Sequence, residues 1–173
     1  TELALSVTRA ANGVSRRHGE VSRAMFPGRP IDSVTNGVHH LTWAAPASRA
    51  LYDRFLPGWR EDSFRLRRSY ALPDGELAGA HRYSKEQMVQ ALNAEHHAGL
   101  DPAVLTLGFA RRFATYKRAG LLFRDPERLA SLARRGLQLV VAGKAHPQDE
   151  AGKRLIQDVI RMGRSSPAKV VFI

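Results

Sequence analysis

The residue types best suited to chemistry sit in one stretch, Gly108-Phe109-Ala110-Arg111-Arg112-Phe113-Ala114-Thr115-Tyr116-Lys117-Arg118. An apolar run (Val104, Leu105, Leu107 and Phe109, with small Gly108 and Ala110) breaks into Arg111-Arg112, and Lys117-Arg118 follow after Tyr116. The run reads as a buried strand of a parallel sheet. Cations placed where such a strand gives way to a loop suit an anion bound outside its carboxyl end. Charge alone fits a solvated basic loop just as well. Gly143-Lys144 occupy the equivalent place after the next apolar run. There a glycine admits close backbone approach to a ligand and a lysine points a charge at the same crevice. A helix-start glycine with a surface lysine is the plain alternative.

Other chemistry is scarcer. His39-His40 and His96-His97 are adjacent pairs. Neighbours along a strand point to opposite faces, and no third histidine or carboxylate stands at a ligand spacing, so no metal site is assigned. The chain has no cysteine, which removes disulfides and thiolate metal sites.

The elements that must position these residues change character along the chain. Thr1 to Gly13 reads as a helix with Thr1 as N-cap and Gly13 as its stop, and Val14 to Phe26 as a second helix ended by Pro27-Gly28. Ile31 to Val34 is a short strand candidate, and Asn36-Gly37 marks a tight turn. Pro46 opens a helix reaching Phe55, and a long helix runs from Pro73-Asp74-Gly75 towards Gly99. Asp53 to Arg68 has no strong periodicity. Beyond Asp101-Pro102, strand and helix alternate: strand Val104 to Phe109, helix Tyr116 to Arg134, strand Leu137 to Ala142, helix Glu150 to Gly163, strand Val170 to Ile173. That alternation is a βαβαβ unit with right-handed crossovers. The expected fold class is α/β, with residues 1–101 mainly helical and residues 102–173 opening a parallel, Rossmann-like sheet.

Composition narrows the function. The 173 residues are 43% hydrophobic and 25% charged, as in ordinary globular proteins. No stretch is apolar for long enough to span a bilayer and no signal peptide opens the chain, so a cytoplasmic location is expected. The net charge is +11, and residues 101–173 hold 14 Lys/Arg against 6 Asp/Glu. A basic half raises nucleic acid as a partner. The arginines are spread through amphipathic segments with little aromatic interleaving, which makes that partner unlikely and fits an enzyme handling phosphates. The chain stops inside an apparent core strand, so it is expected to be an internal piece of a longer protein.

Four segments in order resemble one family. Asn12-Gly13-Val14-Ser15-Arg16-Arg17-His18-Gly19-Glu20 resembles the NGV-x-x-x-H-x-E segment of the α-glucan (glycogen, starch and maltodextrin) phosphorylases, in particular their shorter bacterial branch. Thr35-Asn36-Gly37-Val38 with Trp43 resembles their TNG segment, Arg111 to Arg118 their (K/R)-R-(3 residues)-YKR segment, and Ala142-Gly143-Lys144-Ala145 their GGKA. The resemblance implies a glycosyltransferase-B fold. It implies an enzyme that cleaves α-1,4-glucan with inorganic phosphate to glucose 1-phosphate, using pyridoxal phosphate. Carried over by position, Arg112 and Lys117 hold the substrate phosphate and Arg111 faces the cofactor phosphate. Asn36 bonds the glucose unit, Val14 and His18 line the sugar pocket, and Gly143 and Lys144 border the same substrate site.

The family's Schiff-base lysine lies in a downstream segment that this sequence lacks. The chain alone is therefore expected not to hold the cofactor covalently and to be inactive, and its exposed sheet edge to favour self-association. Two other readings stay open: a nucleotide-sugar glucosyltransferase of the glycogen or starch synthase kind, and a basic nucleic-acid-binding module.

Overall fold

A computed structural model describes all 173 residues, which divide into two compact units, Thr1–Tyr70 and Ala71–Ile173. The sequence places its junction later, at 101/102. The long helix before that point belongs with the sheet unit, because its apolar face packs there.

In the first unit the order is α1 (Glu2–Val7), β1 (Ala11–Gly13), α2 (Arg16–Met25), β2 (Ile31–Ser33), α3 (His40–Trp43) and α4 (Pro46–Phe55). β1 and β2 pair in parallel, Ala11 with Ile31 through Gly13 with Ser33. The helix expected over Thr1 to Gly13 is therefore a short helix followed by a strand. Thr8 is extended at ψ 144, and Asn12-Gly13, weak helix formers, complete a ladder. Ser15 caps α2 by accepting from the His18 amide, and α2 lies so close to β1 that a β-carbon on Gly13 would overlap the Gly19 backbone. Asn36-Gly37 makes no tight turn. The chain there has no regular secondary structure, and the Asn36 amide donates to the Val14 carbonyl at 3.1 Å. His39-His40 lie at the start of a helical turn and not in a strand.

The unit's buried centre includes Leu51, Leu56 and Trp59, which is 1% exposed. Tyr52 and His40 meet the Trp59 ring edge-on at 5.2 and 5.6 Å. Residues Ser63–Ala71, which overlap the end of the aperiodic stretch Asp53 to Arg68, form a 3-10 helix.

The second unit contains α5 (Asp74–His96), β3 (Leu105–Ala110), α6 (Pro126–Arg134), β4 (Leu137–Ala142), α7 (Glu150–Ser165) and β5 (Lys169–Phe172). The three strands form a parallel sheet in the order β3-β4-β5, as the alternating pattern predicts. Register runs from Leu105–Leu137 to Ala110–Ala142, and from Gln138–Lys169 to Val141–Phe172. β4 is central and almost wholly buried. Its Leu137, Leu139 and Val141 pack with Leu129 of α6 and Val159 of α7, and its Val140 packs with Val89 and Leu92 of α5. Each fully buried side chain of this kind contributes about 1.5–3 kcal/mol. Buried Gln138 is satisfied three times, accepting from the Asp101 amide and donating to the Asp101 carbonyl and the Thr106 hydroxyl.

Two expectations need correction here. β3 is not buried: Leu105 is 61% and Leu107 41% exposed, because β3 is the sheet edge and only its Phe109 end reaches the core. The single helix expected from Tyr116 to Arg134 is broken. Arg118 takes a left-handed conformation (φ 58) between 3-10 turns at Thr115–Lys117 and Ala119–Phe123. α6 begins only at Asp125-Pro126, where Asp125 caps the Arg128 amide and proline fills the first turn.

Candidate functional site

Parallel pairing brings the two halves of the basic cluster together. Past the end of β3, the Arg111 amide donates to the Ala142 carbonyl at 3.2 Å and the Phe113 amide to the Lys144 carbonyl at 2.9 Å. The ladder therefore keeps its register for two more hydrogen bonds, which sets Arg111-Arg112 beside Gly143-Lys144 at the carboxyl end of the sheet. Lys117 follows one 3-10 turn later, with its ammonium 4.7 Å from the centre of the Tyr116 ring.

Arg111, Arg112 and Lys144 are exposed and Lys117 is half-buried. None of the four side chains forms an ion pair or a hydrogen bond within the chain, although other basic residues pair readily, such as Arg60 with Asp53 and Lys153 with Glu150. Like charges gathered without a counter-charge repel one another, and an anion with several oxygens relieves that repulsion.

Gly143 is not a helix start. Its φ of 148 belongs to the range that favours glycine, and a β-carbon there would overlap the Arg111 carbonyl oxygen. α7 starts only at Glu150, where Asp149 accepts from the Gly152 amide at 2.8 Å. That helix terminus is thus already occupied by a carboxylate.

The remaining candidates belong to the first unit. The Val14 amide donates to His18 Nδ1 at 3.0 Å, which makes Nδ1 the unprotonated nitrogen, and the Asn36 amide donates to the Val14 carbonyl. Val14, His18 and Asn36 thus form one exposed backbone-linked patch. The Asn36 amide side chain has no partner in the chain and stays available as both donor and acceptor.

Three structural residues were not singled out as such from the sequence. Gly19 lets α2 rest on Gly13, and a β-carbon on it would stand 3.0 Å from Ser33 Cβ. Phe113, inside the basic stretch, is 1% exposed, and Gly152 lies against its carbonyl. A glycine six residues after Gly13, and an aromatic between two arginines and a helix, were the available signals.

No protein-family profile matches the chain. Comparison with curated proteins is more informative. Over 92% of its length the chain is 41% identical to a glycogen phosphorylase of Mycobacterium tuberculosis, covering 22% of that protein. A glycogen phosphorylase of Aquifex aeolicus is 34% identical over 95% of the chain, and a maltodextrin phosphorylase of Thermococcus litoralis 32% over 95%. The chain spans between 22% and 28% of the length of these relatives. None of the three is named as a nucleotide-sugar synthase or a nucleic-acid-binding protein.

Proposed function

Starting from a chain that matches α-glucan phosphorylases along nearly its whole length, we propose that it supplies the phosphate-binding cations and part of the sugar pocket of such an enzyme. The whole enzyme would release glucose 1-phosphate from an α-1,4-glucan with inorganic phosphate. The observation that carries this reading is the set of four unpaired cations at the carboxyl end of β3 and β4. A reaction between a neutral glucan and a multiply charged phosphate needs fixed positive charge for the phosphate and neutral hydrogen-bonding groups for the sugar.

Arg112, with its planar fork, and Lys117, a mobile point charge, hold the attacking phosphate. Arg111 fits a second phosphate group, that of pyridoxal phosphate. The chemistry that group supplies when bound is proton exchange with the substrate phosphate. Gly143 and Lys144 complete the cationic rim, the glycine by letting the Arg111 backbone pass close and the lysine by its charge. In the other unit, Asn36 recognises sugar hydroxyls, and Val14 and His18 line the pocket beside it. The reading places the enzyme in the cytoplasm. It leaves the isolated chain without turnover, since the residue that would bind the cofactor covalently is not among its lysines. No helix is long and apolar enough to cross a membrane.

The test is an assay of the full-length protein containing this chain for phosphate-dependent release of glucose 1-phosphate from maltodextrin, with bound pyridoxal phosphate confirmed. Release is expected. Cofactor-loaded protein that yields none would overturn the proposal.

A further inference from the structure

Arg112 and Lys117 lie past the end of β3, where only the last hydrogen bonds of the strand ladder and a single 3-10 turn shape the chain, and binding a compact anion requires their backbone to stay in place. We infer that Phe113 is a positioning residue for these cations, and that its seat is built by Gly143 and Gly152. The inference rests on the phosphate reading of the cluster. It goes beyond that reading because Phe113 and Gly152 carry no charge and lie outside the cation set.

The seat has three parts. Phe113, 1% exposed, follows Arg112 directly, and its ring lies against Phe109 at 5.9 Å and Phe172 at 5.5 Å in the core beneath the sheet end. Its amide donates to the Lys144 carbonyl at 2.9 Å, which ties the loop after β3 to the loop after β4. Its carbonyl faces the first turn of α7 so closely that a β-carbon on Gly152 would stand 2.5 Å away, well inside contact distance. On the Gly143 side, an added β-carbon would overlap the Arg111 carbonyl and come within 3.1 Å of the Phe113 ring.

Ring, amide and carbonyl of one residue are therefore each fixed by a different element. The two glycines are what allow the surrounding backbone to close in. From Phe113 the chain passes to Ala114, whose carbonyl accepts from the Lys117 amide at 2.9 Å. The position of Phe113 is thus transmitted to both cations, one residue before it and four after it.

The experiment titrates inorganic phosphate into the 173-residue chain and follows backbone amide shifts by NMR. Amides of β4 serve as the report on folding. In the unsubstituted chain, amides 111–118 and 144 should move saturably. If they do not, the phosphate reading itself fails.

Given that binding, Gly152→Ala should weaken the phosphate dissociation constant on the order of tenfold while the β4 amides stay in place. Phe113→Leu keeps an apolar anchor and the backbone approach to Gly152, and should hold the constant within about twofold. An unchanged constant in Gly152→Ala overturns the assignment, and so does equal weakening in both variants, which would mean general loosening. If Gly152→Ala loses the β4 amides as well, Phe113→Ala decides. It removes the ring and leaves the backbone approach to Gly152, and unchanged phosphate binding there overturns the inference.

Discussion

The two loops that carry the candidate residues are built on opposite plans. In the first unit the loop satisfies itself: the Val14 amide finds His18 Nδ1, the Asn36 amide finds the Val14 carbonyl, and Ser15 caps α2. In the second unit the backbone of Arg111 to Phe113 is satisfied by the strand-end ladder, but the charges it displays are not. A self-satisfied neutral loop suits hydroxyl groups, which are weakly and directionally bound. An unsatisfied cationic loop suits an anion, which brings the missing counter-charge with it. The contrast teaches that, in this chain, close backbone packing holds both loops, while only the second leaves an electrostatic demand for a ligand.

The comparison can be broken most strongly at glycine. Gly143→Ala must relieve a steric overlap and adopt an unfavourable φ, and should destabilise the second unit by about 3 kcal/mol or more in urea denaturation followed by circular dichroism. Gly37→Ala, in the first loop, meets nothing within 4 Å and has no positive φ. It should fall within about 0.5 kcal/mol of the unsubstituted chain. Similar costs at the two positions would remove the claim that the cationic loop is the more tightly seated.

A second test concerns how the sheet unit tolerates its one buried polar side chain. Gln138→Leu strands the Asp101 amide and carbonyl, and should cost about 2 kcal/mol by the same measurement. No change would mean that the Asp101 turn finds other partners.

A third test separates the two loops by ligand. Arg112→Ala should weaken inorganic phosphate binding about tenfold or more, as expected for loss of a charge-assisted contact. His18→Ala should leave it unchanged. Equal effects in calorimetric titration would erase the division of labour.

The smallest expected effect is one of pH. Hydrogen bonds from Arg60, and then from the Trp59 indole, hold the Asp53 carboxyl below the ordinary carboxylate value, at about 2. A depressed folded-state value means that its stabilising contribution is fully present above about pH 4 and is lost as pH falls towards 2. The pair is exposed, so the effect is modest. Asp53→Asn should flatten the acid-side decline of Trp59 fluorescence in that window. An unaltered decline would show that other carboxylates govern it.

Much of the second unit is legible in the sequence. β4 is an apolar run broken only by Gln138 and bounded by Gly136 and Gly143, and α7 fills the helix segment between it and the next apolar run. Both therefore fall close to their expected limits. The cation set was equally visible, because charge adjoining an apolar strand is a local feature. The misreadings came where long-range pairing overrode local preference. Ala11–Gly13 became a strand only because Ile31–Ser33 lies beside it. The single helix expected over 116–134 failed because Arg118 adopts a left-handed conformation that no periodicity announces. β3 shows apolar periodicity fit for burial, yet its Leu105 and Leu107 stay exposed because burial depends on what lies next to a strand and not on the strand itself.

By itself, the sequence determined which residues carry charge, where strands alternate with helices and which family the motifs resemble, since each of these is written in residue type and spacing. The tertiary structure decided that Arg111-Arg112 stand beside Gly143-Lys144, that Gly143 serves backbone packing, and that Phe113 is buried against Phe109 and Phe172. Those facts depend on a register between segments about thirty residues apart, and on steric contact at missing β-carbons. Neither is a property of any one stretch of chain.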